Sequence, residues 1–311
     1  MKIMVIGGAG FIGSNIVDTY VENGHEVVVV DNLSSGKLSN INKNARFYNK
    51  DIRNKDIINI IKSERPDVIN HHAAQKSVPA SVKNPTLDAE INILGLLNIL
   101  NASIQAEVKK IIFASSGGAL SGDNSIIPTS EVTVPILMSP YSITKFMGEK
   151  YIQYFSDAYG ISYTILRYAN VYGKRQTSDG ECGVIPIFIE NIINGRPSYL
   201  FTYHDMPGGT TRDYVYVSDV SSVNNIVLNK GDNQIYNIGL GTEIGVATIY
   251  ELLQELTNTN LPLVRRDERA GDIRRSSLCP KKANKQLGWE PKIDLYEGLK
   301  ITLSHYFALH K

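Results

Sequence analysis

A short β-branched run, Ile3-Met4-Val5-Ile6, leads directly into Gly7-Gly8-Ala9-Gly10-Phe11-Ile12-Gly13, and from there into apolar positions at helical spacing, Ile12, Ile16, Val17, Tyr20 and Val21. Spaced glycines between a strand and a helix let the backbone approach a pyrophosphate, whose charge the free amides and the positive helix end then stabilise. Asn23-Gly24 closes the helix and Glu26 to Val30 forms the next strand, completing a βαβ unit. That strand runs into Asp31, 18 residues past Gly13, close to where a carboxylate accepts the hydroxyls of an adenosine ribose. The same charge repels a 2′-phosphate, so the expected dinucleotide is NAD rather than NADP, with Lys37 as the opposing charge nearby.

The alternation continues. Asp67-Val68-Ile69 and Lys110 to Phe113 are strand-like, Ser139-Pro140 opens a helix through about Ala158, and Tyr163 to Leu166 is the strand that follows. This is the pattern of an α/β fold, a Rossmann-type doubly wound parallel sheet. Beyond about residue 171 the pattern loosens into loop-rich stretches such as Thr177-Ser178-Asp179-Gly180 and Pro207-Gly208-Gly209. The expected division is a dinucleotide-binding domain over 1–170 and a smaller C-terminal substrate-binding lobe over 171–311, with a strand and helix returning to the first domain.

Lys and Arg total 32 against 31 Asp and Glu, so no basic field is available to hold nucleic acid, and an anionic ligand needs local arginines. Cys182 and Cys279 follow no metal or redox spacing, and no signal-peptide pattern opens the chain. A cytoplasmic protein without a metal is expected. No apolar run approaches the roughly 18 residues that span a bilayer, so no membrane partner is expected either.

Tyr141 and Lys145 stand four apart on the expected helix and project from one face. A neighbouring ammonium, together with a positive nicotinamide, favours phenolate over phenol and draws a group of ordinary pKa about 10 toward neutrality, as a proton acceptor for a hydroxyl requires. Phe113-Ala114-Ser115-Ser116-Gly117-Gly118 follows a buried strand at the sheet end where ligands bind, and either serine offers a hydroxyl to the reacting oxygen.

Together these motifs resemble the extended short-chain dehydrogenases and, within them, the UDP-glucose (UDP-galactose) 4-epimerases, over nearly the whole chain. The resemblance implies that Gly7, Gly10, Phe11, Ile12 and Gly13 hold the NAD pyrophosphate, and that Asp31, Asn32, Leu33, Ser34, Ser35 and Gly36 hold the adenosine ribose. It places Asp51 and Ile52 at the adenine, and His72, Ala73, Ala74, Gln75, Lys76, Asn92 and Tyr168 along the rest of the cofactor beside Tyr141 and Lys145. Ser116 matches the catalytic hydroxyl, 25 residues before Tyr141, with Ser115 as the alternative. Asn170, Arg212, Arg269 and Asp272 are implied to hold UDP, which suits guanidinium forks on a diphosphate and a carboxylate on ribose hydroxyls; Arg265 and Arg266 read as surface residues.

In related dehydratases an Asp-Glu pair follows the catalytic hydroxyl, and in a decarboxylating relative a Glu occupies that loop. Gly117 and Gly118 supply neither, which favours oxidation at C4 and its reversal over a lyase reaction. Retention of Tyr141 and Lys145 argues against a non-catalytic NAD-binding scaffold. Two departures bear on the sugar. Leu120-Ser121-Gly122 replaces a family Val-Tyr-Gly, and Ser276 matches a position where a bulky tyrosine excludes N-acetylated sugars in some epimerases, so UDP-N-acetylglucosamine and UDP-N-acetylgalactosamine are expected to be accepted as well. The resemblance also implies a homodimer through the helix containing Tyr141 to Ala158.

Overall fold

The computed structural model describes residues 1–178, 183–268 and 271–309. Its first six strands are β1 (Lys2–Ile6), β2 (Glu26–Asp31), β3 (Arg46–Asn49), β4 (Val68–His71), β5 (Lys110–Ser116) and β6 (Ser162–Tyr168). After β7 (Asn170–Tyr172), β8 (Ser198–Phe201), β9 (Thr211–Arg212) and β10 (Tyr214–Tyr216), β11 (Gln234–Ile238) returns to the same sheet, and β12 (Ile244–Gly245) and β13 (Leu263–Arg266) follow. The sheet has seven parallel strands in the order β11-β6-β5-β4-β1-β2-β3. The chain winds one way from β1 through β2 to β3 and the other way from β4 outward. Its direction therefore reverses between β1 and β4, where Ile6 is in register with both Val30 and His71. A crevice forms beyond the strand ends at such a reversal.

Parallel strands covered on both faces must be apolar throughout, and Ile3 to Ile6 of β1 are all fully buried. Ile3 and Val5 face a layer with Ile16, Val17, Tyr20, Val220 and Val223, from α1 (Phe11–Glu22) and the later helix Val217–Ile226. Met4 and Ile6 face the other layer, with Ile57 and Ile61 of α2 (Ile57–Glu64), and Leu96, Ile99 and Leu100 further along the chain. Each such side chain contributes about 1.5–3 kcal/mol on burial.

Between β4 and β5 lie α3 (Val78–Lys83), α4 (Pro85–Ala89), a π-helical turn Glu90–Leu94 and α5 (Gly95–Gln105). The last three run on as a 21-residue helix, Pro85–Gln105, long and apolar enough by length and composition to cross a bilayer. The apolar run itself is interrupted at Asp88 and Glu90, and Leu96, Ile99 and Leu100 face the sheet, as in a core helix.

After the short α6 (Gly117–Ser121) comes α7 (Pro140–Tyr159). Ser139 caps it, sharing a capping box with Ser142; Pro140 occupies the first turn, and Gly160 ends the helix in the left-handed region at φ 73°. A third core, remote from the sheet, gathers Tyr172, Phe188, Leu200, Tyr214, Ile249 and Leu299 among others. It is edged by the two-stranded pairs β10-β7, β12-β9 and β13-β8. The chain beyond residue 171 thus builds both this lobe and one edge of the main sheet.

Candidate active site

Gly7 has φ 84°, and a Cβ there would lie 2.5 Å from Ala73 N; a Cβ on Gly13 would lie 2.2 Å from Gly7 O. Only glycine lets the loop fold this tightly between β4 and the N-terminus of α1. Gly10 lies at that N-terminus, leading into Phe11 and Ile12. At the end of β2 the Asp31 carboxylate accepts Ala9 N at 3.0 Å and Leu33 N at 2.8 Å, so it is held against the rim of the glycine loop. Gly36 packs against Ala9, its position leaving no room for a Cβ, and Ser35 lines the adjoining cleft. Asn32 takes Ser34 N on its carbonyl and donates its amide to Asp51 at 2.9 Å. The Arg53 guanidinium holds the Asp51 carboxyl well below the usual range. Next to Asp51, Ile52 is buried against Gly95.

Past β4, the amides of His72 and Ala73 both donate to Ile6 O, at 2.7 and 2.9 Å. The following Ala74, Gln75 and Lys76 form an irregular turn in which Gln75 N donates to Asn92 Oδ1 at 2.8 Å, while Asn92 Nδ2 donates to Gln75 O at 3.0 Å. Asn92 lies on the π-helical turn, a local widening often found at functional sites. His72 Nε2 lies 3.1 Å from the Tyr168 hydroxyl, which accepts Asn224 Nδ2 at 2.8 Å. Burial, with the Lys145 charge nearby, pushes both His71 and His72 down to about 3.

These segments converge on a cleft of about 900 Å³ lined by Phe11, Ile12, Ser35, Lys76, Ser116, Tyr141, Tyr168, Asn170, Arg212, Asp272 and Ser276 among others. Tyr141 is carried on the first turn of α7, and Ser116 ends β5 and caps α6. Burial pushes the Tyr141 phenol up to about 12, opposite to the expected shift toward neutrality, with the nearby Ser116 hydroxyl working against the rise and the Asp88 charge adding to it. Lys145, one turn on, does not line the cleft. It stands behind Tyr141, its Nζ 5.9 Å from the phenol ring centroid and donating to Ala114 O at 2.9 Å. Burial draws the ammonium down to about 8 against the opposing influence of Asp88 and Glu149.

Ser115 points elsewhere, as alternation along a strand requires. Its hydroxyl donates to Glu149 Oε1 at 2.6 Å, and the Arg167 fork grips the same carboxylate at 2.9 and 2.7 Å. This buried ion pair ties β5, β6 and α7 together. No sequence motif announced it, because its partners lie on a helix and two strands far apart in the chain.

At the other end of the cleft Arg212 Nη1 donates to Thr211 O at 2.7 Å, leaving the guanidinium beside the cavity. The neighbouring Asp213 carboxylate accepts Leu240, Gly241 and Leu278 amides, pinning the strand segment that carries Ser276. Ser276 Oγ lies 3.3 Å from Ser121 Oγ, so the two departures from the family pattern are neighbours. A Cβ on Gly117 would lie 2.3 Å from Leu278 Cδ1, so that position has no space for an acid. Arg269, expected here, lies outside the described residues, as does Cys182. Arg265 and Arg266 are exposed on β13, with Arg266 stacked over Tyr199.

The tight glycine loop, with no room for a Cβ at Gly7 or Gly13, and the Asp31 rim fit a dinucleotide, and Tyr141 and Ser116 open onto the same cleft. Residues 3–239 match the model of the NAD dependent epimerase/dehydratase family. The structure is similar to that of a UDP-glucose 4-epimerase from Thermotoga maritima solved with UDP-glucose, at 46% identity and TM-score 0.97 with 100% of both chains covered. It is similar to a UDP-glucose 4-epimerase from Thermus thermophilus in complex with NAD, at 38% identity and TM-score 0.93 with 99% of both chains covered. A UDP-N-acetylglucosamine 4-epimerase from Methanobrevibacter ruminantium, solved with UDP-N-acetylmuramic acid, shares 32% identity and TM-score 0.92 over 99% of this chain and 98% of its own. With its sheet, its glycine loop and its tyrosine-lysine helix in place, this chain belongs to the NAD dependent epimerase/dehydratase family.

Proposed function

We propose that this protein interconverts UDP-glucose and UDP-galactose by inverting C4 of the sugar. The observation that carries the reading is that Ser116 and Tyr141 line one cleft, where Gly117 and Gly118 offer no further acid or base. Bound NAD, held by Gly7, Gly10, Gly13 and the Asp31 rim, supplies the hydride acceptor and donor. Tyr141 takes the proton of the C4 hydroxyl and later returns it. Ser116 hydrogen-bonds the same oxygen and holds it at the phenol. Lys145 places positive charge behind the ring, where it opposes the burial that disfavours phenolate. Asn170, Arg212 and Asp272, with Arg269, hold UDP, and the diphosphate is the axle about which the 4-keto sugar turns to present its other face. With no acid at 117 or 118, oxidation at C4 and its reversal are favoured over elimination. Purified protein given UDP-galactose is expected to yield UDP-glucose with no net change in NAD.

A second substrate class is favoured by Ser276 and Ser121. Two small side chains in contact, where some relatives carry tyrosine, leave room beside the sugar for an acetamido group, so UDP-N-acetylglucosamine is accepted in addition. A hydrophobic enlargement of this kind gives tolerance rather than exclusivity.

In this reading 1–170 serve NAD and 171–311 mainly the UDP-sugar, and the enzyme works in the cytoplasm as a homodimer. The dimer is supported by a stripe on α7, where Ile143, Met147, Tyr151 and Tyr154 recur at helical spacing with exposures of 47, 37, 37 and 59%.

A further inference from the structure

Asp88 is fully buried and has no ion-pair partner among the described residues. Its oxygens accept the Gln75 side-chain amide at 2.7 Å, the Asn92 amide at 3.1 Å and the Thr144 hydroxyl at 2.7 Å. Hydrogen bonds to neutral donors orient a carboxylate but leave its charge uncancelled, and an unpaired buried charge is strongly disfavoured. Thr144 immediately precedes Lys145, a second buried charge whose Nζ is bonded, among the described residues, to the neutral carbonyl of Ala114 alone. We propose that Asp88 is the counter-ion of Lys145, a positioning residue that keeps the ammonium charged behind Tyr141 through a neutral hydrogen-bonded cradle. The inference deepens the reading above, on which Tyr141 and Lys145 handle the C4 proton.

Among the other groups around Lys145, Glu149 also supports its charge, but as one half of an ion pair. Glu149, one turn further along α7, is already gripped by both nitrogens of the Arg167 fork. At the end of β4 and just past it, burial keeps His71 and His72 neutral through the working pH range. β5 presents Phe113 and the Ser115 and Ser116 hydroxyls, and α7 presents the Tyr141 phenol. Asp88 from α4 is thus the free negative charge of the cluster. Consistent with that position, its charge supports the protonated Lys145 and opposes ionisation of Tyr141.

Asp88→Asn removes the charge and retains the shape. Both limbs of the pH profile of kcat/KM for 4-epimerisation should then move to lower pH by about half a unit to one unit, since lysine and tyrosine both lose protons more readily. A plateau that falls while both limbs stay fixed would show a structural role only and overturn the inference. An activity-independent test is urea unfolding of Asp88→Asn, Lys145→Met and the double variant. Asp88→Asn should lower the midpoint in the wild-type background and raise it in the Lys145→Met background, because there the carboxylate is stranded. Equal effects in both backgrounds contradict the proposal. If Asp88→Asn alone fails to fold, recovery of folding in the double variant supports the pairing and continued failure overturns it. A wild-type enzyme that does not epimerise at C4 would instead count against the underlying functional reading and leave the urea result standing.

Discussion

Ser115 and Ser116 both border the cleft, but the Ser115 hydroxyl donates to Glu149 at 2.6 Å and is thereby committed to the buried ion pair. The alternation of a β-strand separates two hydroxyls that adjoin in sequence. Ser116→Ala is expected to lower kcat about 10²–10³-fold, the usual loss on removing a donor from a reacting oxygen. Ser115→Ala is expected to leave kcat within a few-fold and cost about 1–3 kcal/mol of stability, read by urea unfolding.

Asp31 anchors the loop through Ala9 and Leu33 and, in the proposed function, receives the adenosine ribose. Loss of a charge-assisted hydrogen bond of this kind is worth about 1.5–3 kcal/mol. Asp31→Ala should therefore weaken NAD binding about 10- to 100-fold, and the preference for NAD over NADP should shrink as the repelling charge is lost. Equilibrium titration with both dinucleotides measures each.

His71 and His72 are both lowered to about 3 by burial, with Lys145 adding repulsion. Between that value and the ordinary 6.5 the unfolded chain binds more protons than the folded one. Their contribution to stability is fully present above about pH 6.5 and declines as the pH falls toward 3. The urea midpoint should drop between pH 7.5 and pH 5, and by less in His72→Gln. A drop of the same size in that variant would assign the acid sensitivity elsewhere, although Glu64 is not a competitor in this window. Burial pushes its carboxyl up, but bonds from Arg46, Lys2 and Tyr48 prevail and hold it at about 2.

Ser276→Tyr fills the space beside Ser121. Turnover of UDP-N-acetylglucosamine should fall about 10- to 200-fold while that of UDP-galactose changes little, the range expected when pocket volume alone discriminates. Parallel loss of both substrates would mean that the tyrosine disturbs the sugar site as a whole.

Local signals carried the first βαβ unit far. The helix expected to close at Asn23-Gly24 is observed as Phe11–Glu22, and Ser139-Pro140 does open a helix that runs to Tyr159, because capping and glycine termination are written in adjacent residues. β5 extends three residues past Phe113, carrying Ser115 and Ser116 to the crevice. The tyrosine-lysine spacing was legible for the same reason. Asp88, Glu149 and Arg167 were not, since their meaning depends on contacts across elements. The return of β11 to the sheet was anticipated only as an unnamed strand; Gln234–Ile238 joins it by pairing with β6.

The central claim is that Tyr141 moves the proton of the C4 hydroxyl of a UDP-hexose with no net redox change. Wild-type protein and Tyr141→Phe, both loaded with NAD, are mixed with UDP-galactose, and the sugar products are resolved over time. The account predicts conversion to UDP-glucose by the wild type with total NAD unchanged, and a rate about 10²–10⁴-fold lower in Tyr141→Phe, the range for loss of a positioned acid-base group. Absence of UDP-glucose from the wild-type reaction, or equal rates in the two proteins, would contradict it.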